Sequence, residues 1–333
     1  MDKDSQVYNE FFNFMRDPFS LEPNLDFFYM SESVKNFLEE LYQQIRSNAS
    51  FCIVFGGAGV GKSTLYNKII ADLNSFENSP YVLPVKCIGF DLDARDFLMA
   101  MLKGEGLDYE EAKTLHAMVE SWLVKLIEMS NVSRVLIVDD AQCLTSENSL
   151  ELLKTLASLR IGGEKLINVV LLGDLKWREL IKESEGFFDL ITIHFQLEPL
   201  SEREVQYFIE LRLEKCGYNE VEGPKFSGSA YTAIYACTQG IPKKIIELLR
   251  SVFTELASRN EKYVDANIVL ECFEKKFHPT PKDRVRIARA LLEYEMRPEN
   301  VAETKKMSTK ELEQWQRNIK SVEILLKEYD KME

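Results

Sequence analysis

Eight consecutive residues, Gly56-Gly57-Ala58-Gly59-Val60-Gly61-Lys62-Ser63, match G-x-x-x-x-G-K-[ST] without a mismatch, and Thr64 follows them. Glycines at these positions let a backbone wrap a polyphosphate with its N–H groups turned inward. A helix that starts directly behind the loop adds partial positive charge at its N-terminus. In such a loop Lys62 reaches the β- and γ-phosphates, and the Ser63 hydroxyl ligates Mg²⁺. The cofactors these residues point to are ATP and Mg²⁺.

A pair of carboxylates, Asp139 and Asp140, stands at the tip of the apolar run Val135–Val138. In ATPases built this way the first carboxylate holds Mg²⁺ through water, and the second orients and deprotonates the attacking water. That second residue is usually glutamate. Asp140 is one methylene shorter, about 1.5 Å of reach, enough to misplace a water-activating group, so slow hydrolysis is expected.

Asp174 ends the next apolar strand, where a sensor group would meet the γ-phosphate or the water; a strand-end turn residue is the alternative reading. Lys243 and Lys244 follow Gly240-Ile241-Pro242 and open a helix. A cation there could return to the phosphates and report nucleotide state, with the choice between the two lysines open. The alternative is an exposed basic helix start, which the helix dipole disfavours. The histidines (116, 194, 278) have neither a Ser-His-Asp nor a metal-site spacing around them and read as structural. The six cysteines include no C-x-x-C pair, so a zinc site or disulfide framework is not expected and reduced thiols are.

The elements that must hold these residues are legible from periodicity. Phe51–Phe55 is a short apolar strand, and Leu65, Ile69, Ile70 and Leu73 behind the loop recur at helical spacing. Further strands are expected over Tyr81–Phe90, Ser133–Asp140, Ile167–Leu172 and Leu190–Leu197. A helical stretch over Ala94–Met129 is interrupted near Gly104–Leu107. Apolar strands alternating with helices predict a parallel sheet covered on both faces, with the ligand at the strands' carboxyl ends.

Four regions are expected: an aromatic N-terminal arm (1–32), the α/β nucleotide-binding domain (33–200), a helical lid (201–277) and a C-terminal helical segment (278–333). Residues 7–30 carry many aromatics with Pro18 and Pro23 among them, which argues against a regular helix. The arm is expected to lie across the nucleotide domain near the base, or across a neighbouring subunit. Residues 33–46 form an amphipathic helix, and Ser201-Glu202-Arg203-Glu204 is a capping box opening the lid. His-Pro-Thr-Pro at 278–281 reads as a linker. Beyond it, Arg284, Arg286 and Arg289 start an amphipathic helix, and a second capping box at Ser308–Glu311 precedes another. A helix-turn-helix and a helical tail for self-association are both compatible with this segment; its shortness and weak pattern lean toward the tail.

The 333 residues are 45% hydrophobic with net charge −13. That composition describes a folded protein and argues against broad non-specific nucleic-acid binding. The acidity lies in the first four-fifths, while residues 274–333 are close to neutral. No apolar run is long enough to span a bilayer and the N-terminus is polar, so neither an integral membrane segment nor a signal peptide is expected, and a cytoplasmic location is.

Taken in order, GGAGVGKST, VLIVDDAQCL, NVVLLGD, LEPLSEREVQYFI and GIPKK, together with the DPFSLEP and FFYMS pieces of the arm, resemble the AAA+ ATPases of the ExeA/TnsC group over about residues 7–277. The resemblance implies a P-loop NTPase fold with a helical lid, and a homo-oligomeric ring or filament with ATP at subunit interfaces. It also implies one of two roles: an assembly switch on DNA that regulates transposition, the reading preferred here, or an ATPase for secretion or pilus and envelope assembly. A nucleotide-locked scaffold is a third possibility, and further protein partners are expected with any of them. Three departures stand out. Asp140 replaces the group's glutamate. The stretch GFFDLITIH lacks the arginine often found there, leaving Arg160 or Arg178 as substitutes. Neither a membrane span nor a cell-wall-binding domain of the kind secretion members carry is expected from these residues.

Overall fold

The computed structural model describes residues 3–88, 92–104, 114–128, 133–161, 163–184, 186–218, 223–297 and 300. The chain forms two compact units, one of residues 23–198 and one assembled from residues 1–22 and 199–333. Helix α1 (Lys3–Phe12) opens the chain in the second of these.

The 23–198 unit contains a five-stranded parallel sheet. In chain order its elements are α2 (Glu32–Arg46), β1 (Phe51–Gly56), α3 (Lys62–Ser75), β2 (Tyr81–Lys86), α4 (Ala94–Gly104), α5 (Leu115–Glu128) and β3 (Arg134–Asp139). Then follow α6 (Glu147–Ser158), a two-residue hairpin of β4 (Arg160–Ile161) and β5 (Glu164–Lys165), β6 (Asn168–Gly173), α7 (Leu175–Glu183) and β7 (Ile193–Leu197). The strand order is β2-β3-β6-β1-β7, with every neighbouring pair parallel. The fold is the parallel sheet covered on both faces that the alternation predicts, with the order of strands given above.

Every residue of β1, β3 and β6 is buried, because each strand packs helices on both sides. Phe51, Ile53, Phe55, Leu136, Val138, Val169 and Leu171 face one layer with α4–α7. Cys52, Val54, Val135, Ile137, Val170 and Leu172 face the other, against α2 and α3. The alternation is the two-residue period of a strand expressed on two cores at once. Ser31 caps α2 by accepting from the Val34 N–H, and Val34, Phe37, Leu38, Leu41 and Ile45 form its buried stripe.

The second unit is helical: α8 (Glu202–Lys215), α9 (Gly228–Thr238), α10 (Pro242–Arg259), α11 (Ala266–Phe277) and α12 (Pro281–Glu295), with a short parallel pair, β8 (Lys225–Phe226) and β9 (Tyr263–Val264). The capping box at the start of α8 is formed in both directions between Ser201 and Glu204. The expected 278–281 linker is instead a tight junction. His278 ends α11 in the left-handed region, Thr280 caps α12, and Pro281 is its first residue, a position where a missing N–H costs nothing.

The N-terminal arm requires correction on two counts. Lys3–Phe12 is a regular helix, because both prolines lie beyond it. The arm also divides. Phe27 and Phe28 pack in the sheet unit, whereas residues up to 22 belong to the helical unit. There Phe253 of α10 is surrounded by Tyr8, Phe12, Phe14 and Phe19 at centroid distances of 4.6–6.3 Å. Asp17 accepts from the Tyr8 hydroxyl and the Phe19 N–H, and Arg212 donates to the carbonyls of Pro18 and Ser20. The Asp-Pro-Phe piece of the sequence is thus a docking motif for α8 and α10.

Among the described residues no helix is long and apolar enough to cross a membrane. The part of the C-terminal segment that would distinguish a helix-turn-helix from a self-association tail, residues 298–333, lies outside the described residues apart from residue 300.

Candidate functional site

The glycine loop joins the end of β1 to the start of α3, as the spacing predicts. Gly61 is the residue before the helix and has φ +111°, a conformation that a side chain would strain. At Gly56 a Cβ would come within 2.8 Å of Val60 Cγ2 and 3.1 Å of the Leu197 carbonyl oxygen, so the loop must leave β1 without a side chain. The Lys62 Nζ donates to the carbonyls of Gly56 and Gly57 at 2.9 and 3.0 Å. Burial pulls the Lys62 pKa down; the carboxylates of Asp140, Asp174 and Asp139 act against that shift. The lysine, loop and three acidic residues singled out in the sequence therefore form one electrostatic cluster at the carboxyl ends of the strands.

Asp139 ends β3 and is 1% exposed. One carboxylate oxygen accepts the Asp140 N–H at 3.1 Å. The other, Oδ2, is buried without a hydrogen-bond partner, and its closest cation is the Lys86 Nζ at 3.8 Å. Burial raises the Asp139 pKa most, and the neighbouring Ser63 hydroxyl acts to lower it. A bare buried carboxylate oxygen beside a serine hydroxyl, both oxygen donors, fits a hard divalent cation such as Mg²⁺. No group of three or more metal-ligating side chains occurs among the described residues.

Asp140 has φ 57°, a left-handed conformation that aspartate tolerates better than most residues. It is partly buried, and its carboxylate accepts from the Gln142 amide at 2.9 Å. Asp174 follows β6 and caps α7, accepting the Trp177 N–H at 2.8 Å. The strand-end reading of this residue is thus realised, alongside its place in the field around Lys62.

Lys243 and Lys244 lie in the first turn of α10 behind Pro242, the first exposed and the second half-buried. They belong to the helical unit. Arg178 is engaged within its own domain: its guanidinium donates to the Gln196 side chain at 2.8 Å and lies 5.6 Å from the Phe55 ring centroid. Arg160 is exposed and donates to the Gly163 carbonyl. Of the histidines, His116 pairs with Glu120 at the surface, and His194 lies against the Phe188 ring.

Lys86 escaped the sequence reading. Its only signature was a cation closing an otherwise apolar strand. Its relation to Asp139 depends on the register of two parallel strands, in which Lys86 is paired with Asp139 itself.

Residues 44–181 match the AAA domain family. The chain is 28% identical over 275 residues to the general secretion pathway protein A of Aeromonas hydrophila, an alignment covering 80% of this chain and 48% of the relative. It thus spans about half the length of that protein. Among solved structures, Drosophila ORC bound to DNA is similar with a TM-score of 0.61 at 16% identity, over 86% of this chain and 69% of that one. The Aeropyrum pernix ORC2 protein, solved as ADPNP-ADP complexes, has a TM-score of 0.56 at 13% identity, over 92% and 89%. The fold is that of an AAA+ P-loop NTPase, and the alignment with general secretion pathway protein A covers most of this chain.

Proposed function

We propose that the chain binds ATP with Mg²⁺ at the Gly56–Ser63 loop, hydrolyses it slowly, and uses the nucleotide as a switch for its own assembly into a ring or filament. The observation that carries this is the meeting of Lys62, Ser63 and the buried Asp139 at the carboxyl ends of β1 and β3.

The loop N–H groups between Gly57 and Thr64 receive the phosphate oxygens. Lys62 exchanges two carbonyl acceptors for phosphate oxygens, a stronger, charge-assisted pairing. Ser63 and, through water, Asp139 would hold Mg²⁺, which when bound draws charge from the phosphate oxygens. Asp140, steadied by Gln142, accepts a proton from a water whose oxygen bonds to the γ-phosphorus. The bond from that phosphorus to the β,γ-bridging oxygen breaks, and ADP leaves with the electron pair. Asp174, which also caps α7, would hold the water or the γ-phosphate. Lys243 or Lys244 is the lid cation that reports nucleotide state.

For the biological role, the secretion-pathway relative supports an ATPase of envelope or secretion assembly. The alternative of a DNA-loaded transposition regulator draws on residues 282–333, mostly outside the described structure, and works against a net charge of −13. The DNA-bound structural neighbour, at 16% identity, supports the fold alone. Six free cysteines fit a reducing compartment where ATP is available.

The test compares the wild type with Lys62→Ala for binding of a fluorescent ATP analogue, phosphate release, and mass in solution by light scattering. We expect triphosphate-dependent assembly in the wild type, with nucleotide binding and assembly lost together in the variant. Assembly of Lys62→Ala like wild type would refute the switch. Duplex DNA and anionic vesicles are added under the same nucleotides. Binding to DNA only with the triphosphate, weakening steeply with salt, would replace the secretion role by the DNA one.

A further inference from the structure

Among the described residues, Lys86 is the one cation paired with Asp139, and the phosphate-binding motif does not explain it. It closes β2, in register with Asp139 on β3. The Cys87 N–H donates to the Asp139 carbonyl at 3.1 Å, which pins the two strand ends side by side. The Lys86 Nζ stands 3.8 Å from Asp139 Oδ2, the oxygen that has no hydrogen-bond partner. That separation is beyond hydrogen-bonding reach, so charge alone holds the pair. The two partners differ in environment: the carboxylate is 1% exposed and the lysine side chain 57%. Among the described residues Lys86 makes no other ion pair.

These facts define a counter-cation that can leave. A bare buried carboxylate is costly, and Lys86 reduces that cost. Its ammonium can swing into water without being stranded, because the stem is already exposed. A divalent cation held near the same oxygen would repel it. Resting on the reading of Asp139 as the metal-side carboxylate, we propose that Lys86 competes with the divalent metal. Nucleotide–metal loading exchanges an ammonium for the metal ion at Asp139, and Lys86 sets how much free metal the exchange needs. The same ammonium supports metal-free nucleotide, by offsetting the repulsion between Asp139 and the phosphates.

The test is Mn²⁺ binding by electron paramagnetic resonance to the full chain with ADP, comparing wild type, Lys86→Met and Lys86→Arg. Nucleotide affinity in EDTA is a second readout. Lys86→Met should bind Mn²⁺ roughly three- to tenfold more tightly, the range for removing one partly solvated charge, and should bind ADP more weakly in EDTA. Lys86→Arg should resemble wild type in both. Unchanged or weaker Mn²⁺ binding by a folded Lys86→Met overturns the proposal, while the nucleotide site stands on the wild-type signal. Absence of Mn²⁺–ADP binding in the wild type overturns both.

Discussion

On the proposed reading, the residue that most limits this site as a catalyst is Asp140. In that proposal Lys62, Ser63 and Asp139 serve an ATP-hydrolysing loop, but the role of water-activating base falls to the shorter acid, turned by a left-handed backbone and tied to Gln142. Asp140→Glu should therefore raise the rate of phosphate release, by about tenfold, while leaving ATP affinity within about twofold, because the base is felt in the transition state more than in the ground state. Single-turnover phosphate release beside equilibrium nucleotide binding checks both halves. At this scale the sequence was readable wherever the relevant neighbours are close in the chain. Lys62 and Ser63 are fixed by a loop of eight residues, and Asp139 by the strand it ends. Lys86 was not readable, since it meets Asp139 only through inter-strand register. Asp174 was half readable, because its cap on Trp177 is a matter of backbone geometry.

At the scale of elements, the central strands β1, β3 and β6 announced themselves because burial on two faces demands unbroken apolar runs, while the edge strands β2 and β7 are partly exposed. The pairs β4–β5 and β8–β9 did not, being two residues each and too short to carry a period. Within β5, Lys165 is only 7% exposed; its ammonium donates to the Ser50 carbonyl at 2.8 Å, and burial pulls its pKa down to about 8. In the unfolded chain a lysine titrates near 10.4. Between those values the unfolded state holds the proton and the folded state does not, so this group makes stability rise with pH from about 8 to about 10.4. The contribution is lost again as pH falls through 8, where the fold must keep a buried ammonium. Lys165→Met should abolish that rise. The Ser50 carbonyl keeps a second donor, the Val169 N–H at 3.1 Å, so the substitution leaves it satisfied. Urea unfolding at pH 7.5 and 9.5 should show the wild type gaining stability relative to the variant at the higher pH; a constant difference would count against a buried, depressed Lys165.

At the scale of the whole molecule, the chain begins and continues in the same helical unit, with the nucleotide-binding sheet as the part between. The N-terminal segment is consequently structural. Phe19 is fully buried, 4.6 Å from the Phe253 ring and 5.8 Å from Tyr8. Phe19→Ala should destabilise the helical unit by about 3–5 kcal/mol. The expected signature is a lower urea midpoint for that unit, with the sheet unit's transition unmoved. An unchanged midpoint would mean that the aromatic cluster around Phe253 does not hold the segment in place.

By itself, the sequence determined the glycine loop and the layered α/β architecture. Both are written in local code: a glycine loop whose conformation needs those residues, apolar strands of matching length, and a carboxylate where a strand stops. Tertiary structure alone decided which unit the N-terminal aromatics join, which cation stands beside Asp139, and that Arg178 is held within its own domain. Each of these depends on residues far apart in the chain being brought together by packing and strand register. No local pattern records such a meeting, because its free energy belongs to contacts that exist only once the chain has folded.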